Sequence, residues 1–144
     1  FPAGGNPANI TTAGTGTDDD VLYGDNDTRA TAQPIGTNSV VTGTISDASD
    51  EDWFSFSITN SSPNLRVLLY NLPANYNVEL WDIDGFRKRR SVIPGTDNDA
   101  FLINDLDPGT YTLRVYGYDG AYDAENTYNF KVTTKKSEIF SVTP

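Results

Sequence analysis

Apolar residues recur at every second position through most of the chain beyond residue 38, which is the period of half-buried β-strands. DWFSFSI (52–58) places Phe54, Phe56 and Ile58 on one face. YTLRVYGY (111–118) places Tyr111, Leu113 and Val115 on one face, and Thr112, Arg114, Tyr116 and Tyr118 on the other. Further strand signals lie in NSVVTGTIS (38–46), LRVLLYNL (65–72), NVELWDID (77–84), RSVI (90–93), AFLIND (100–105) and NTYNFKVTT (126–134). Asp84-Gly85 and Asp107-Pro108-Gly109 punctuate them as turns. The pattern predicts about eight strands, no long helix, and an all-β, antiparallel, jelly-roll-like sandwich. One helical turn is expected in DTRATAQ (27–33), with Asp27 as its N-cap.

The periodicity also divides the chain. Residues 1–22 are rich in Gly, Thr, Ala, Asn, Pro and Asp. Such a stretch buries too little apolar surface to offset its ordering entropy, so it reads as a linker or tail. The sandwich is expected over 23–136, with a short tail at 137–144. A length of 144 residues suits one domain. The chain lacks Met and opens Phe-Pro-Ala-Gly-Gly, so it reads as a segment of a longer protein. GTDDDVLYGDND (16–27) partly echoes calcium-binding nonapeptide repeats, but a single copy has no neighbour to stack on.

Charge and composition narrow the chemistry. Twenty acidic residues against ten basic ones leave a net charge of −10, which opposes nucleic acid and anionic membranes and suits divalent cations. Without His or Cys, His-based triads, Cys nucleophiles and His/Cys zinc sites are excluded. Paired carboxylates could support glycoside hydrolysis, but acids are so abundant that no pair stands out, and the chain is read as no enzyme. No apolar run spans a bilayer, and no signal peptide is visible.

Two acidic clusters draw attention: Asp25, Asn26 and Asp27, then Asp47, Asp50, Glu51 and Asp52. Spacing alone leaves two readings side by side, solvated loop acids or oxygen ligands for Ca2+. Carboxylates held close repel one another unless a cation sits among them, which tilts the balance towards the cation. Asp97 and Asp99, and Asp119, Asp123 and Glu125, read as ordinary loop acids. FRKRR (86–90) reads as a solubilised turn after Asp84-Gly85, with contact to an acidic polysaccharide or a protease-sensitive loop as the functional alternatives.

Parity also sorts the aromatics. Phe54, Phe56, Tyr111, Tyr128 and Phe130 share faces with aliphatic residues and read as core. Trp53, Tyr70, Trp81, Tyr116 and Tyr118 fall on the opposite faces. Gathered on one sheet they would form a binding surface for sugars or Pro-rich ridges; split between two sheets, or covered by a loop, they would not.

DNDTRATAQPIG…VVTGTISDASDEDWFSFSI, ANYNVELWDIDG and LDPGTYTLRVYGYDGAYDAENTYNFKV together resemble the bacterial pre-peptidase C-terminal domain over about residues 23–134. The resemblance implies a secreted accessory module tethered to a catalytic domain. It is similar also to the collagen-binding domains of clostridial collagenases. That likeness implies calcium ligands at Asp25, Asn26, Asp27, Asp50 and Asp52, with Asp47 unanchored, and a binding strand carrying Tyr116 and Tyr118. Phe54 matches a further aromatic position of that family, although its parity points to the core. Those linkers carry glutamates where this chain has Tyr23-Gly24. Three functions follow as expectations: an anchor to collagen or another insoluble protein, a carbohydrate-binding module favoured if Trp53 and Trp81 are both exposed, and a segment processed during secretion.

Overall fold

The computed structural model describes residues 26–136. The expected linker over 1–22, the ligand position Asp25 and the tail at 137–144 lie outside the described residues. Among the described residues nine strands form: β1 (Gln33–Pro34), β2 (Val40–Gly43), β3 (Glu51–Ile58), β4 (Asn64–Tyr70), β5 (Tyr76–Trp81), β6 (Arg87–Ser91), β7 (Asp99–Ile103), β8 (Gly109–Gly117) and β9 (Tyr128–Lys135). They make two sheets, one in the order β1-β3-β8-β5-β6 and the other β2-β9-β4-β7. All pairings are antiparallel except β1 with β3. The all-β sandwich is therefore the architecture, with the two-residue β1 added to the strands the alternation predicts.

The core follows parity. Phe54, Phe56 and Ile58 of β3, and Tyr111, Leu113 and Val115 of β8, face Leu65, Val67 and Leu69 of β4 and Tyr128, Phe130 and Val132 of β9. Phe54 packs on Phe130 with ring centroids 4.8 Å apart, and Tyr76 meets Tyr128 edge-on at 5.8 Å. Tilted and edge-to-face rings of this kind join the two sheets beyond the effect of buried area alone.

Three local expectations are corrected. The helical turn is a short 3-10 turn over Arg29–Thr31, and its N-cap is Thr28 rather than Asp27. Strand β6 is RKRRS rather than RSVI, so the basic cluster is not a turn. It pairs with β5, and the turn between them is closed by Asp82, whose Oδ1 accepts the amides of Asp84 and Phe86. Gly85 supplies the positive φ of 86° that this turn requires. Strand β8 ends at Gly117, and Tyr118 opens a 3-10 turn, Tyr118–Gly120. A Cβ at Gly117 would collide with the Ala121 carbonyl, so the chain folds back tightly there. Tyr116 and Tyr118 therefore do not continue along one strand face.

Candidate functional site

Strand β3 begins between two carboxylate clusters. Asp52 shares the inward parity of Phe54, Phe56 and Ile58, while Glu51 and Trp53 alternate to the outer face. Asp52 sits fully buried at the end of the core, where the Tyr128 hydroxyl donates to its Oδ2 at 2.6 Å. Asp50 closes the preceding loop: its Oδ2 accepts the Ser46 amide at 2.8 Å and the Ser46 hydroxyl at 3.2 Å. The chain before β1 is tied alongside by the Trp53 amide, which donates to the Asn26 carbonyl at 2.9 Å.

These ties bring Asp27, Asp50 and Asp52 together, with one carboxylate oxygen of each lying within 4.8 Å of the others. Asp50 and Asp52 are buried, Asp27 is exposed, and the side chain of Asn26 beside it is fully buried. The donor set is entirely hard oxygen, which fits Ca2+ chemistry better than that of a soft metal. Asp27, Asp50 and Asp52 are the residues that would hold such an ion, with Asn26 adjacent. Asp47 is not among the clustered acids. It is exposed, and its Oδ1 accepts the amide and hydroxyl of Ser49, both at 2.8 Å. Those hydrogen bonds hold its carboxyl below the usual range.

The outer face of the five-stranded sheet holds a second cluster that sequence reasoning missed. Trp53, Arg114 and Glu79 stand side by side on β3, β8 and β5, and Glu51, Tyr116 and Asn77 form the next row. Arg114 grips Glu51 through two bonds of 3.1 and 2.8 Å and reaches Glu79 at 3.2 Å. Arg87 of β6 approaches Glu79 at 3.4 Å, and the Tyr116 hydroxyl donates to it at 3.1 Å. The Trp53 indole donates to Glu51 at 3.1 Å and the Trp81 indole to Glu79 at 2.9 Å. The two indoles pack 5.8 Å apart, and the Arg114 guanidinium lies 3.8 Å from the Tyr116 ring centre. Burial, and then the Glu79 charge, raise the pKa of the Tyr116 phenol. The legible signal was a repeated Glu-x-Trp, at Glu51-Asp52-Trp53 and Glu79-Leu80-Trp81.

The five aromatics expected to face outward therefore divide. Trp53 is only 7% exposed, because on this face it packs against Trp81. Trp81 and Tyr116 are half-buried in the network, and Tyr70 lies on the other sheet. Tyr118 is 58% exposed, with its amide fixed to the Asn75 carbonyl at 2.8 Å, and Tyr122 nearby in sequence is 51% exposed. Asp99 is not a loop acid. It is fully buried at the start of β7 and accepts the Ile93 amide at 3.0 Å. Burial pushes its carboxyl up to about 6, against the opposing effect of hydrogen bonds from Ile93 and Ser91.

No family model and no curated protein matches the chain. Solved structures do. The pre-peptidase C-terminal domain of collagenase from Bacillus anthracis is 23% identical, with a TM-score of 0.59 over 71% of this chain and 94% of that one. A Eubacterium rectale protein provisionally classed as secreted matches at 14% identity and a TM-score of 0.53, over 94% of this chain and 44% of its own. PliG of Aeromonas hydrophila, a periplasmic inhibitor of g-type lysozyme, matches at 8% identity and a TM-score of 0.48, over 71% and 96%. No helix among the described residues is long and apolar enough to cross a membrane. At these identities the likeness establishes the architecture, and the chain has the fold of a pre-peptidase C-terminal domain.

Proposed function

We propose that this chain is a non-catalytic, calcium-stabilised accessory module of a secreted hydrolase, holding a tethered catalytic domain against an insoluble protein such as collagen. The observation that carries the reading is the meeting of Asp27, Asp50 and Asp52 from two separate segments. Three carboxylates within 4.8 Å repel one another, and a divalent cation turns that repulsion into a clasp between the segment before β1 and the loop before β3. The likeness in fold to a domain of a collagenase supports the substrate class. The exposed Tyr118 ring supports a contact surface. A clasp fixes the module's orientation, and a weak oriented anchor raises the effective concentration of its catalytic partner at a surface. Exposure of both Trp53 and Trp81 would have favoured the polysaccharide reading, and Trp53 is buried.

The test is depletion from solution by insoluble collagen, cellulose, chitin and xylan, each with Ca2+ and with EDTA. Calcium-sensitive loss onto collagen alone is expected. Loss onto a polysaccharide instead would transfer the module to carbohydrate binding. No loss on any of them, with an unchanged melt in EDTA, would remove both anchor and ion.

A further inference from the structure

The chain has ten basic residues, and five of them, Arg66, Arg87, Lys88, Arg89 and Arg90, lie on or beside one margin of the sandwich. Strand β6 is the last strand of its sheet and β7 the last of the other, so both sheets end on this side. Between them runs an open groove lined by Arg66, Arg89, Arg90, Val92, Ile93 and Leu102. Among the described residues, no strand pairs with the outer edge of β6.

Two features of this margin pull in different directions if it is only a solvated edge. Cations along an edge strand normally blunt it, since two copies of such a strand repel. A blunted edge has no use for exposed aliphatics, yet Val92, Ile93 and Leu102 are all exposed in the same groove, Leu102 to 61%. An anionic sugar chain would satisfy the cations but leave those aliphatics in water. The groove's one aromatic, Phe101, is buried in the core, so no flat ring is offered to a sugar face. An extended peptide uses everything present: its backbone takes the unpaired edge, its carboxylates meet the arginines, and its aliphatic residues cover Val92, Ile93 and Leu102.

We infer that β6 is a docking edge for an extended acidic segment of a partner protein, one that alternates carboxylate and aliphatic residues and adds as a strand. The like-charge edge that excludes a second copy of β6 selects such a strand. The site lies apart from the carboxylate cluster and does not depend on calcium.

The test is titration of the full chain with a labelled synthetic peptide alternating Glu with Val, read by fluorescence anisotropy in EDTA, with hydrogen exchange followed across β6. Binding is expected to weaken about tenfold or more in the double variant Arg89→Glu/Arg90→Glu. It should change less than about twofold in Lys131→Glu on the other sheet, with melts confirming that both variants fold. Amides of residues 87–91 should gain protection when peptide is bound. Three results would overturn the inference: equal weakening by Lys131→Glu, binding without new protection in β6, or binding of heparin in place of the peptide.

Discussion

Strand β3 sends one carboxylate to each side of the sheet, and the two meet different kinds of partner. Glu51 goes outward and meets Arg114, which also bridges to Glu79. Asp52 goes inward and meets Tyr128, while its neighbour Asp50 takes the two donors of Ser46. The outer cluster thus carries its countercharge within the fold. In the inner one Ser46 donates to Asp50 and Tyr128 to Asp52, and a third acid, Asp27, is brought to them. Neutral donors orient carboxylates without cancelling their mutual repulsion. The difference teaches where to look for an outside ion: not where acids are most numerous, but where the fold gathers them with hydroxyls and amides.

The comparison is broken most severely at Arg114. Removing it as Arg114→Met leaves Glu79, only 2% exposed, to Arg87 and the neutral donors of Trp81 and Tyr116, and leaves Glu51 without its bidentate partner. A loss of about 3 to 5 kcal/mol in urea unfolding is expected. Adding Glu51→Gln and Glu79→Gln should recover most of it, because the cost is the stranded charge rather than the lost side chain. A mild effect of the single variant would mean that the outer cluster is ordinary surface.

The inner cluster is next. With free Ca2+ at about a hundredfold its Kd, the ion should add about 3 kcal/mol, seen as a melting temperature that falls in EDTA. Asp52→Asn keeps an acceptor for Tyr128 while removing one charge. It should lose most of the calcium response, yet melt no lower than the parent in EDTA because repulsion is relieved. If parent and variant respond equally to Ca2+, Asp52 is not a ligand. Arg114→Met should keep the full calcium response, since its cluster is on the other face.

Asp99 sharpens the comparison with a third solution, a proton. Its folded carboxyl, raised to about 6, exceeds the 3.8 of an unperturbed Asp, so the folded state binds the proton more tightly. Its contribution is fully present below about pH 4, falls as pH rises through 6, and is lost above that. Asp99→Asn should therefore stabilise at pH 7 to 8, by on the order of 2 kcal/mol, and flatten the profile between pH 4 and 6. Its side-chain oxygen can still accept the Ile93 amide. A profile unchanged by the substitution would assign the pH dependence elsewhere.

These three sites differ in how far they could be read from the chain. Alternation in DWFSFSI and YTLRV settled the core faces, because a strand has only two sides and burial chooses one. Asp27, Asp50 and Asp52 stood out because two dense acidic runs each precede a strand. The outer network did not stand out, since Glu51, Glu79 and Arg114 come from three strands and charged residues on outward positions look like solvated surface. The burial of Asp99 was hidden for a similar reason: its loop, GTDNDA, has the composition of a solvated turn. Parity marked Trp53 as outward correctly but could not show that Trp81, two strands away, packs on it. The β6 edge was misplaced because FRKRR lacks the apolar alternation by which strands are recognised; it is held by pairing with β5 and needs no buried face of its own.

The smallest effect separates the two tyrosines that parity had joined. Tyr116 belongs to the self-satisfied cluster, with its hydroxyl on Glu79 and its ring under Arg114. Tyr118 stands beyond Gly117, where the chain turns and leaves its ring in solvent. If the outer network exists to hold the face rigid and the exposed ring makes the contact, the two should fail differently. Tyr116→Phe should cost about 1 kcal/mol of stability and leave adsorption to collagen unchanged. Tyr118→Ala should alter stability by less than about 0.5 kcal/mol and reduce adsorption several-fold, since an exposed ring adds little to the fold and most of its area is available to a ligand. Equal adsorption by Tyr118→Ala would exclude it from the anchoring surface. Loss of adsorption in Tyr116→Phe would show that the outer cluster itself meets the substrate, and the division between a self-contained face and a ligand-seeking one would then fail on the outer side.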